Sequence, residues 1–188
     1  MDENTFGALF GPYMAAEEQP PALAAGIVEN MDVHHSSRWL TVQVSLAELL
    51  PAGALFAAEK ALAAGLALQG VTLQPRFPAE CFTAQALPSL VQHLKRQNVA
   101  VNGTFDDAQY AVEGDRVTVT FTHGGVNILR TTKADEQLRQ LILAQFDRRV
   151  ELAFVGEETV QEDERYEAMI AQAEQEAAQR RQADAARR

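Results

Sequence analysis

One stretch does most to limit the folds open to this 188-residue chain: Ser37–Leu50, SRWLTVQVSLAELL. Leu40, Val42 and Val44 alternate with Trp39, Thr41 and Gln43. That period of two belongs to a sheet strand with one face packed and the other open. The period then changes. Ser45 stands three residues before Glu48, a capping-box spacing that predicts a helical turn. Pro51 follows, where a further helix can begin with its φ already fixed.

The neighbouring segments supply partners for this strand. Ile27–Val33 places Ile27, Met31 and Val33 against Val28, Asn30 and Asp32, with Glu29 breaking the apolar face. The polar link His34–Ser37 makes the two strands a hairpin. Ala52–Leu68 is alanine-rich and helical by propensity, with Leu55, Ala58, Leu62 and Leu66 on one face. Val71, Leu73 and Phe77 predict a third strand, and Pro75 makes it an edge strand or ends it early.

A second helix starts near Pro88, buries Leu87, Leu90, Val91 and Leu94, and ends on Lys95 and Arg96. Residues 110–112 and 117–121 read as a second hairpin around Glu113-Gly114-Asp115. His123-Gly124-Gly125 reads as a turn. Thr132 with Asp135 predicts the cap of a third helix, whose buried face is Leu138, Leu141, Ile142 and Phe146. Val150, Leu152 and Phe154 alternate as a last strand. The expected class is α+β: antiparallel hairpins with helices packed on one face, followed by a long charged helix. The expected division is a flexible leader over 1–25, a first module over 26–80, a second over 81–156 and a charged helical spacer over 157–188. Within the leader, Phe6, Leu9, Phe10 and Tyr13 are the residues that could dock as a short turn.

The formal charge of −10 sits mostly at the two ends. Residues 1–25 carry four acids and no base, residues 26–155 carry 13 acids and 11 bases, and residues 157–188 carry nine acids and five bases. Such a balance argues against indiscriminate nucleic-acid binding but leaves room for a local basic patch. The single cysteine, Cys81, excludes an internal disulfide and fits a reducing, cytoplasmic setting. No apolar run is long enough to cross a bilayer, so no membrane partner is expected.

Few residues suggest chemistry. His34 and His35 beside Ser36 and Ser37 offer base and nucleophile types, but adjacent residues rarely face one another productively. Cys81, His93 and His123 lack metal-ligand spacing. Asp106 and Asp107 read as turn formers. Lys95, Arg96, Arg130, Lys133, Arg139, Arg148 and Arg149 lie near helix ends; they are candidates for phosphate contact or ordinary solvated charge. Trp39 is a candidate contact residue, or a core residue under a helix. No catalytic residue and no metal ligand is expected in the chain.

Taken together, RWLTVQVSLAELLP with its following Ala/Leu helix and strand, the hairpin strand GDRVTVTF, and the unit DEQLRQLILAQFDRRVELAFVGEE resemble the N-terminal region of PolC-type DNA polymerase III α subunits. The resemblance runs from Ile27 to Arg188. It implies a second module similar to a truncated KH fold, although no GxxG loop lies between Val71 and Phe154. For a parent polymerase it implies DNA-templated DNA synthesis with 3′–5′ proofreading, using divalent metal (Mg, Zn or Mn) in other domains. For this segment it implies no catalysis and no cofactor. The implied role is tethering to a replisome protein such as the clamp-loader tau subunit, or to DNA.

Overall fold

The two clearest alternating stretches become the central strands of two three-stranded sheets. The computed structural model describes residues 4–122 and 125–156. In chain order the first part runs α1 (Phe6–Phe10), α2 (Pro21–Ala24), β1 (Ile27–His34), β2 (Trp39–Ser45), α3 (Ala52–Gly65) and β3 (Gly70–Arg76). Then α4 (Leu87–Gln97) leads to β4 (Gln109–Glu113), β5 (Arg116–Phe121), α5 (Val126–Thr131), α6 (Ala134–Phe146) and β6 (Glu151–Gly156).

Both sheets follow one plan. A hairpin pairs two strands antiparallel, β1 with β2 and β4 with β5. A helical crossover then returns the third strand parallel to the middle one, β3 beside β2 and β6 beside β5. Parallel pairing follows from connection length, because a crossover needs a dozen or more residues and a helix supplies them. The class is α+β with two mixed sheets, and the two strands expected outside the hairpins pair parallel to the middle strands.

One face of each sheet is packed. Leu40, Val42 and Val44 of β2 lie buried, as do Leu55, Ala58 and Leu62 of α3. Val117, Val119 and Phe121 of β5 are buried in the second sheet. There Phe105, Phe121 and Phe154 meet edge to face, with centroids 5.3–6.0 Å apart. The predicted face of α4, Leu87, Leu90, Val91 and Leu94, is buried throughout.

The two halves are joined by a common seam. Phe146 at the end of α6 packs on Phe77 and Phe82, with centroids 5.3 and 5.2 Å away. The Phe77 N–H donates to the Gln145 carbonyl at 2.7 Å. Glu59 of α3, only 5 % exposed, accepts the Leu73 N–H at 2.8 Å and the Arg96 guanidinium at 2.6 Å. Arg96 in turn lies 4.1 Å over the Phe56 ring. One carboxylate thus ties α3, β3 and α4 together.

Several expectations need correcting. The leader is docked from residue 5 onward: Phe6, Phe10 and Leu23 are buried, and Thr5 bridges to Ile27. No helical turn forms at Ser45–Glu48; the chain crosses to α3 without regular structure. Thr132 does not cap α6. Its hydroxyl donates back to the Ile128 carbonyl at 2.8 Å, closing α5, a helix the sequence pattern did not announce. Lys133, at φ 55°, is the N-cap of α6 instead. Within β1 only Val28 is buried, so Ile27, Met31 and Val33 are not core residues. The expected spacer over 157–188 and two residues of the His123-Gly124-Gly125 turn lie outside the described residues.

Candidate interaction surface

Trp39 opens β2, and its side chain lies on the face of the sheet opposite Leu40, Val42 and Val44. It is not under a helix. Its register partner on β3 is Gly70. A Cβ on Gly70 would stand 2.3 Å from the indole ring, so the ring lies flat where only glycine leaves room. The indole N–H donates to Thr72 Oγ1 at 2.9 Å, which satisfies its one polar group. The side chain is fixed and still 37 % exposed. A rigid, amphipathic, half-open tryptophan of this kind is well suited to anchor a contact.

The neighbouring edge strand β1 also exposes apolar side chains. Ile27, Met31 and Val33 on β1 are exposed, the last two at 47 % and 56 %. Met31 pairs with Val42 and Val33 with Leu40, so both stand on the packed side of the sheet but beyond its cover. A bulge between Val28 and Asn30 resets the strand there. The alternation in β1 was legible; that nothing covers Met31 and Val33 was not. The acidic Glu29 inside the apolar run was the available signal.

The basic residues do not form one open patch. Lys95 pairs with Asp106 at 2.7 Å, Arg96 with Glu59 at 2.6 Å and Arg139 with Asp135 at 2.6 Å. Arg148 pairs with Asp115 and donates to the Gly114 carbonyl at 3.2 Å. Asn98, just past α4, donates to Thr132 and Gln137, so Lys95, Arg96, Arg130 and Lys133 belong to the end of α6 where it begins. Arg148 and Arg149 follow its other end, about 20 Å away for a helix of this length. Lys133 and Arg149 are exposed, but on these two separate ends.

The remaining chemical candidates are engaged structurally. His34, the last residue of β1, and His35, in the hairpin link, are exposed, and the Ser37 hydroxyl donates to the His34 carbonyl at 3.4 Å. A cavity of about 190 Å³ lies between α3, α4 and α6, lined by Leu50, Leu55, Phe77, Ser89, His93 and Phe146 among others. Ser89 Oγ accepts the Ala52 N–H at 3.3 Å, serving the start of α3. Burial, reinforced by the Arg96 charge, pushes His93 down to about 4, so its ring is neutral at neutral pH. It meets the Phe56 ring edge-on at 4.9 Å. Tyr110 is pushed up to about 12 by burial and by Asp106. Among the described residues no group of three His, Cys, Asp or Glu side chains is placed to hold a metal ion. None of the described helices is long and apolar enough to cross a membrane. No protein-family model matches the chain, and no curated protein matches it significantly.

Proposed function

We propose that this chain is a non-catalytic protein-interaction module. In keeping with its resemblance to the N-terminal region of PolC-type polymerases, its partner is a replisome protein such as the clamp-loader tau subunit. Synthesis, proofreading and the divalent metals they need would belong to other domains of the parent polymerase. The observation that carries this reading is the uncovered apolar surface of the first hairpin. Among the described residues, Ile27, Met31, Val33 and Trp39 are four of the eight exposed large apolar residues, and all lie on one hairpin, Met31 and Val33 on one face and Ile27 and Trp39 on the other. Apolar side chains left uncovered on one element are a feature of interaction sites. The alternative of a nucleic-acid module is weakened because Lys95, Arg96, Arg139 and Arg148 are already paired with carboxylates. The element order α4-β4-β5-α5-α6-β6 suits a KH-like second half, but the missing GxxG removes the usual nucleotide clamp.

The test is calorimetric titration of the full chain with the tau subunit. We expect binding, and a loss of about 30-fold or more for Trp39→Ala, the scale of an interface hot spot. The variant should keep the far-ultraviolet dichroism of the folded chain, though it loses the ring's packing on Gly70 and its bond to Thr72. Absence of binding by the wild-type chain would contradict the reading.

A further inference from the structure

The two edges of the first sheet are treated in opposite ways. On β3 the Leu73 N–H is taken by Glu59, and Pro75 has no N–H to offer. That edge is closed to a further strand. On β1 the first residues are also covered. Phe6 donates to the Gly26 carbonyl at 2.7 Å and Val28 to the Asn4 carbonyl at 2.9 Å. Beyond the bulge the cover stops. Among the described residues, residues 30–34 make no backbone–backbone hydrogen bonds except to β2, and only the His34 carbonyl is otherwise engaged, by the Ser37 hydroxyl. Their exposed side chains are Asn30, Met31, Asp32, Val33 and His34.

We infer that residues 30–34 of β1 are a docking edge for an extended segment of a partner protein that alternates apolar and basic residues. The segment would add as a fourth strand, collinear with residues 4–6, over about 17 Å. Its apolar side chains would cover Met31 and Val33 on one face, and its basic ones would meet Asp32 on the other. Charge selects this occupant. Asp32 is exposed with no ion-pair partner among the described residues, in a chain whose formal charge is −10. A second copy paired about Asp32 would set two carboxylates face to face between chains that each carry −10. The chain's own residues 157–188, with nine acids and five bases, are mismatched in the same sense.

The inference rests on the interaction-module reading but is tested without tau. The full chain is titrated with a short synthetic peptide alternating lysine and valine, followed by amide shifts and hydrogen exchange. The expected result is slowed exchange within residues 30–34 and affinity about tenfold weaker for Met31→Lys with Val33→Lys, or for Asp32→Lys. A control alternating glutamate and valine should not bind. No binding, binding that leaves residues 30–34 unprotected, or equal binding of the control would overturn the docking edge. Self-association that protects the same amides would overturn the choice of occupant. None of these results bears on the Trp39 titration with tau, whose failure would instead overturn the broader reading.

Discussion

The two halves of this protein share one plan and use it differently. Each is a hairpin, a helical crossover and a third strand laid parallel to the middle one. In the second half the outward residues of the edge strand β4 are Gln109, Ala111 and Glu113, small or polar. In the first half the edge strand β1, at eight residues the longest of the described strands, exposes Ile27, Met31 and Val33. The plan itself thus does not require an apolar edge. The second half's other edge strand, β6, exposes Val155 as its one large apolar residue, and the proposed interaction surface rests on that asymmetry.

The comparison fails if the halves are not one cooperative body. Phe146 sits in the seam between them against Phe77 and Phe82, so Phe146→Ala should cost about 4 kcal/mol. We expect a single unfolding transition, shifted as a whole, in denaturant melts followed by both Trp39 fluorescence and far-ultraviolet dichroism. Two separated transitions would show that the halves fold independently.

A smaller effect sharpens the same point. His93 lies in the seam with its folded-state pKa lowered to about 4. The unfolded chain takes up a proton there near the ordinary value of 6.5 while the folded chain does not. Stability should therefore fall as the pH drops from about 6.5 towards 4, then level off for this group. His93→Gln should flatten that part of the pH profile of the melting temperature. An unchanged slope would remove His93 from the seam's acid response.

Much of the architecture was legible. The alternation of β2 and β5, the buried faces of α4 and α6, and the edge position of the Pro75 strand all follow from period and turn chemistry. What was not legible depends on cover. Period says which residues of β1 share a face, not whether a helix reaches that face. Trp39 shows the same limit: its face was readable, whereas the glycine beneath it and the bond to Thr72 needed the third strand in place. α5, at six residues, is too short to display a helical period. The burial of Glu59 could not be anticipated, because its partners come from β3 and α4. The basic residues looked like a set in sequence, yet both ends of α6 separate them.

The most direct measurement is a hydrogen-exchange footprint of the full chain with and without the tau subunit. The account predicts slowed exchange over β1 and β2, concentrated in residues 27–34 and 39–45. Protection confined to residues 130–149, with β1 and β2 unchanged, would contradict it.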